Sequence, residues 1–186
     1  VTGVQTCALP IPMVSRWIEG FQFCIKGLIE APSVRCMQQF TQHGDVSTLE
    51  HCLMVAFLSY TICRMIGLNF YVAARGGLLH DLFLYDWHKP NPYPGLHGFS
   101  HPKIALHNAQ KYFYLTSLEE EIIRTHMWPL TFWAFPKHWE SFVVSCADKL
   151  CALLETFGLI RRFRTTQTLG WIGDLCVKAQ NGISVA

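Results

Sequence analysis

"GGLLHDLFLYDWHKP", residues 76–90, closes an apolar run with a histidine beside an aspartate, His80 and Asp81. An aspartate is rarely fully buried unless it is paired or holds a metal, so the doublet calls for partners from elsewhere in the chain. Gly76 and Gly77 just before it are suited to close helix packing behind such a site.

Outward from this stretch, apolar residues recur at helical spacing and strand alternation does not, which predicts an all-α domain. Residues 14–30 read as one helix ending before Pro32. Ser47-x-x-Glu50 is a capping box that starts a helix near Thr48, and Gly67 supplies its stop. Asn69 caps the next helix, expected to run from Phe70 to about Leu84 with His80 and Asp81 in its last turns. "YDWHKPNPYPGLHGFS" (85–100) follows, a long loop of the kind that carries function. Ser100 is the expected cap of a helix beginning at His101-Pro102. Thr116-x-x-Glu119 opens another, with His126 in its final turn before Pro129. The last strong helix spans about 137–157, carries Asp148 and stops at Gly158.

The 186 residues, 51% of them hydrophobic, suit a single core. The expected division is a helical domain over 13–157 and a C-terminal extension over 158–186, where Trp171, Ile172, Leu175 and Cys176 suit a small docking helix. The opening VTGVQTCALPI resembles the in-frame translation of a sequencing adapter; residues 1–12 are therefore set aside as artefact or disordered terminus. A formal charge of +2 is too small for a nucleic-acid footprint, and the one cluster, Arg161, Arg162 and Arg164, is short. The most apolar stretch, Cys52 to Cys63, falls short of the ~18–20 residues of a membrane span, so no membrane partner is expected. Eight cysteines with no C-x-x-C pair read as reduced core residues, Cys146 and Cys151 included, in a cytoplasmic protein. Oligomeric state is open, a homodimer included.

Five helical segments each offer a candidate ligand: His51, His80 with Asp81, His101, His126 and Asp148. A bundle can bring them together. Imidazoles with carboxylates suit iron, manganese or zinc, and six ligands exceed what one metal takes while leaving a position open for chemistry. Two metals bridged by a carboxylate would use them all. Singly, each has an ordinary structural reading; the ordered set H...HD...H...H...D, at intervals of 29, 21, 25 and 22 residues, does not.

With that order in view, the chain resembles the HD-domain metal-dependent phosphohydrolase superfamily. "STLEHCLMVA" looks like its first histidine helix, "ARGGLLHDL" like its name-giving doublet and "SCADKLCALLE" like its closing aspartate helix. "GFSHP" and "RTHMWP" stand where dinuclear members carry two further histidines. The spacing is similar to that of the HD-domain diadenosine tetraphosphate hydrolases and cyclic-dinucleotide phosphodiesterases. The resemblance implies an HD-type helical bundle in which His51, His80, Asp81 and Asp148 hold one metal. His101 and His126 complete a second, with Asp81 bridging. It implies one or two divalent metals, iron or manganese first and zinc, nickel, cobalt or magnesium as alternatives. The implied reaction is hydrolysis of a phosphate ester or anhydride of a small nucleotide by water, with His80 and Asp81 at the catalytic centre.

One departure stands out. Many members carry a lysine four residues after the doublet's histidine, where this chain has Leu84. Lys89 in the proline-rich loop, or Arg75, is the candidate replacement for neutralising substrate phosphate. His97 and His88 are candidates to contact phosphate or to act as general acid. His43 either sits beside the metals or caps the turn at Gly44, and His107 and His138 read as surface residues. Tyr85, Trp87, Tyr93, Phe99, Trp128 and Trp133 suit either lid packing or stacking on a base. Two other functions fit the same ligands: a mixed-valent di-iron oxygenase, and a non-catalytic nucleotide or metal sensor.

Overall fold

The computed structural model describes residues 11–90 and 93–159, with side chains from Ser15 onward. In chain order these residues form α1 (Ile11–Ile25), α2 (Pro32–Cys36), a 3-10 turn (Met37–Gln39), β1 (Thr41–His43), β2 (Val46–Ser47), α3 (Thr48–Ile66), α4 (Phe70–Leu79), α5 (His97–Tyr112), α6 (Ser117–Thr125) and α7 (Trp139–Thr156). The all-α expectation holds, with one two-stranded antiparallel hairpin added. The docking helix near Trp171 and the Arg161–Arg164 cluster lie outside the described residues.

Helix α3 is the centre of the bundle. The Ser47 side chain accepts a hydrogen bond from the Glu50 amide at its start, and Gly67 ends it in the left-handed region, φ 77°, where a Cβ is disfavoured. Its apolar faces pack on α4 and α7, while α4 also meets α1 and α6, and α5 lies on α6. Two clusters of buried side chains result. One gathers Phe21, Leu53, Tyr60, Leu78 and Ile123, and the other Val55, Cys63, Ile122, Val144 and Cys151. By length and composition α3 is apolar enough to cross a membrane, but half of its apolar window is buried inside the fold. The six described cysteines are free thiols; Cys151 is buried as expected, whereas Cys146, expected in the core, is exposed on the other side of α7.

Gly77 explains how tightly α3 and α4 approach. A Cβ there would stand 2.9 Å from the Ala56 Cα, and one at Gly76 would stand 2.7 Å from Ile122 Cγ2. The close packing behind His80 therefore needs both positions bare.

Three element boundaries differ from expectation. Helix α4 ends at Leu79 instead of near Leu84, so His80 is its C-cap and Asp81 lies just beyond. The His80 ring bonds the Gly77 carbonyl (2.7 Å), and Leu84 then takes a left-handed φ of 60°, its side chain packing against the first core cluster. Helix α5 begins at His97, four residues early, with Leu96 as its N-cap; the Ser100 hydroxyl bonds the Leu96 carbonyl instead of capping. Pro102 thus sits inside the helix, not at its first turn. Helix α1 runs over Ile11–Ile25, and residues 26–30 form turns where helix was expected.

Candidate metal centre

The six ligand candidates converge. His51 stands in the first turn of α3, His80 and Asp81 at the end of α4, His101 one turn into α5, His126 at the end of α6, and Asp148 midway along α7. All six are buried. His51 Nε2 lies 3.1 Å from Asp148 Oδ1, and His80 Nε2 lies 3.7 Å from the same oxygen and 3.4 Å from Asp81 Oδ2. Asp81 Oδ1 faces His101 Nε2 at 3.2 Å and His126 Nε2 at 3.4 Å. Two groupings suit a metal ion, His51 with His80 and Asp148, and His80 with Asp81 and His126.

The donor chemistry fits metals. The Nδ1 atoms of His80, His101 and His126 contact the carbonyls of Gly77, His97 and Ile123 at 2.7, 2.8 and 2.8 Å. Donation to those carbonyls puts the ring proton on Nδ1 and leaves Nε2 as a lone pair aimed inward. His80 Nε2 and Asp81 Oδ1 are buried without a hydrogen-bond partner among the described residues. Buried acceptors facing one another are costly unless a cation joins them. In the protein without metal, that need is reflected in proton affinities. Burial opposes charge on His51, but its bonds to Asp148 and Glu155 carry its pKa up to about 10. Burial also opposes charge on His80, which the Asp81 charge nevertheless lifts well above the usual range. Burial would raise Asp81 and Asp148; the surrounding histidines hold both carboxyls well below the usual carboxylate range. Burial, with the repulsion of neighbouring histidines, pushes His97 and His126 down to about 4.

The cluster opens into a cavity of about 240 Å³ whose wall includes Asp81, His101 and Asp148. Five other polar or aromatic residues line it: Gln42, His43, Trp87, His97 and Lys149. His43 sits by the ligand candidates, its ring 6.0 Å from that of His51. His97 bonds the Tyr85 hydroxyl (2.8 Å) and is sandwiched between the rings of Trp87 at 5.1 Å and His101 at 4.5 Å.

Three residues expected to meet phosphate lie elsewhere. Lys89 is exposed and pairs with Asp86 at 3.2 Å, away from the cavity wall. Arg75 pairs with the buried Glu119, whose other oxygen closes the Thr116 capping box, so it ties α4 to α6. His88 is exposed beside Asp86 and does not line the cavity. Among the aromatics expected near a base, Trp87 alone lines it. His107 and His138 are exposed, as expected, although His138 also bonds Glu121 (2.8 Å).

Three residues of the site escaped the sequence reading. Gln42 on β1 donates to Asp81 Oδ2 at 2.7 Å, and its oxygen accepts from Thr48 Oγ1 at 3.2 Å, which fixes the amide's orientation. Lys149 Nζ bonds Asp148 Oδ2 and the His126 carbonyl, each at 2.7 Å, and supplies a cation at the cavity wall. Glu155 sets both carboxylate oxygens 2.9 Å from His51 Nδ1. Of these, Lys149, directly after the closing aspartate, had a usable signal in its position.

A helical bundle that brings four imidazoles and two carboxylates together in its interior has the donor set of a helical protein that could hold metal ions. The HD domain family model matches residues 48–153, and the chain belongs to that family. No curated protein and no solved structure matches the chain.

Proposed function

We propose that the protein is a metal-dependent phosphohydrolase that cleaves a phosphate ester or anhydride of a small nucleotide, with water as the nucleophile. The observation that carries this reading is the convergence of six buried ligand candidates, three of which, Asp81, His101 and Asp148, reach the cavity wall beside Lys149, with no serine, threonine or cysteine among the described residues that line it. His51, His80, Asp81 and Asp148 would hold one divalent ion, and Asp81, His101 and His126 a second. Such ions supply Lewis acidity, bringing water's pKa toward neutrality and offsetting charge on phosphoryl oxygens. Iron or manganese suits the imidazole and carboxylate mixture best.

The chain's own residues do the rest. Gln42 holds Asp81 by one oxygen and leaves the other directed at His101 and His126. Lys149 keeps Asp148 oriented and presents positive charge to a phosphate in the cavity. With its pKa near 4, His97 is neutral at neutral pH in the metal-free protein, so it serves there as a hydrogen-bonding partner to phosphate rather than as a charged acid. Trp87 offers an aromatic wall against which a base can stack. Six free thiols among the described residues, four of them buried, favour a reducing compartment, the cytoplasm.

The test is phosphate or nucleotide release from a panel of mononucleotides, dinucleoside polyphosphates and cyclic dinucleotides with Mn²⁺ or Fe²⁺, in parallel with oxygen uptake by the reduced iron form. Turnover of a phosphorylated substrate that Asp81→Ala abolishes supports the proposal. Oxygen uptake without phosphate chemistry would assign the site to a di-iron oxygenase, and nucleotide binding without turnover to a sensor.

A further inference from the structure

The four site histidines are anchored unequally. His80, His101 and His126 each bond a backbone carbonyl three or four residues earlier in the chain. His51 instead faces a carboxylate, Glu155, which is buried and places both oxygens 2.9 Å from Nδ1. Glu155 follows Asp148 by seven residues, two turns along the same face of α7. That helix therefore brackets His51, with Asp148 at Nε2 (3.1 Å) and Glu155 at Nδ1. A buried carboxylate is unfavourable without strong pairing, and an apolar side chain would fill the position more cheaply unless the imidazole must be held.

We infer that Glu155 is a positioning residue for the metal site. It keeps the proton of His51 on Nδ1, aims the Nε2 lone pair at the position shared with His80, Asp81 and Asp148, and makes this the tighter of the two metal positions. The chemical reason is that a carboxylate anchor makes an imidazole a stronger electron-pair donor than a carbonyl anchor does, and fixes its ring orientation. The inference rests on the metal-binding reading above.

The experiment is a Co²⁺ titration of the metal-free full chain, followed by the cobalt absorption bands and by chelator competition, for wild type, Glu155→Gln and Glu155→Leu. Glutamine keeps an oxygen that accepts from Nδ1 but lacks the charge; leucine lacks both. The first binding step is expected to weaken about tenfold in the glutamine variant and about 100-fold in the leucine variant, with altered bands, while the second step stays within twofold. Thermal unfolding without metal shows which variants fold, and the glutamine variant alone decides the matter should leucine fail to fold. Equal first-step affinity in wild type and every folded variant overturns the role of Glu155 while leaving the metal site standing. Wild-type protein that takes up no metal overturns both.

Discussion

The Nε2 atoms of His101 and His126 lie 2.8 Å apart, although the other nitrogen of each ring is already engaged with a backbone carbonyl. Both Nε2 atoms and the Asp81 Oδ1 atom thus crowd around one point, 3.2 and 3.4 Å separating the carboxylate oxygen from the two rings. A cation resolves this, and its binding to the folded state alone must stabilise the protein. At a metal concentration about 1,000 times Kd the gain is about 4 kcal/mol. For a chain of this size that corresponds to a Tm rise of roughly 10 °C on adding Mn²⁺ or Fe²⁺, reversed by chelation. A melting curve indifferent to every divalent metal would remove the site.

Lys149 and Lys89 separate two accounts of phosphate neutralisation. Lys149→Ala is expected to lower kcat/KM about tenfold or more, a loss of about 1.4 kcal/mol in transition-state stabilisation, because the cavity loses its cation and Asp148 its partner. Lys89→Ala, which removes an exposed ion pair, should stay within about twofold. Steady-state kinetics on one phosphorylated substrate distinguishes them. The reverse ranking would return the role to the loop.

Gly77→Ala should destabilise the fold by about 1–3 kcal/mol despite the better helix propensity of alanine, since the new methyl meets the Ala56 backbone and α3 must move. Urea unfolding measures this. Because the shift would displace His80 relative to His51, weaker metal binding should accompany it.

Glu121 provides a pH test away from the metals. Its buried carboxylate accepts from the Lys137 and His138 amides and the Ser141 hydroxyl, and contacts the His138 ring. Burial opposes the charge, but these bonds hold its pKa below the ordinary 4.5. The unfolded chain thus binds the proton more readily, so the stabilisation is complete above pH 4.5 and fades as pH falls through the folded value. Glu121→Gln should cost about 1–3 kcal/mol at neutral pH, and the gap from wild type should narrow in acid. A gap independent of pH would show that packing, not charge, is what the glutamate contributes.

Much of this arrangement is legible in the chain because it depends on short-range chemistry. Ser47, Asn69 and Thr116 mark helix starts by side-chain capping, Gly67 marks a stop by its positive φ, and the histidine and aspartate order survives because each ligand sits on a regular helix or at its end. What stayed hidden depends on tertiary structure. Helix α4 stops at Leu79 where the site draws the chain aside, although its apolar pattern continues to Leu84. Helix α5 starts at His97, where Leu96 gives no side-chain cap to read. Gln42 lies in a hairpin too short to show any period, and Glu155, near the end of an amphipathic helix, looks like a solvated surface charge until the fold places it behind His51.

Gln42 and Glu155 have a further property in common: the segment matched by the family model, 48–153, lies between them and includes neither. A fragment cut to that segment would keep every ligand yet lose the amide that steadies Asp81 and the carboxylate that steadies His51. The smallest piece that would preserve the proposed metal chemistry therefore extends beyond the matched family boundaries, from the hairpin through the last turn of α7. Two chains sharing the six ligands could accordingly differ in metal affinity through flanking residues that a comparison of the shared segment never samples.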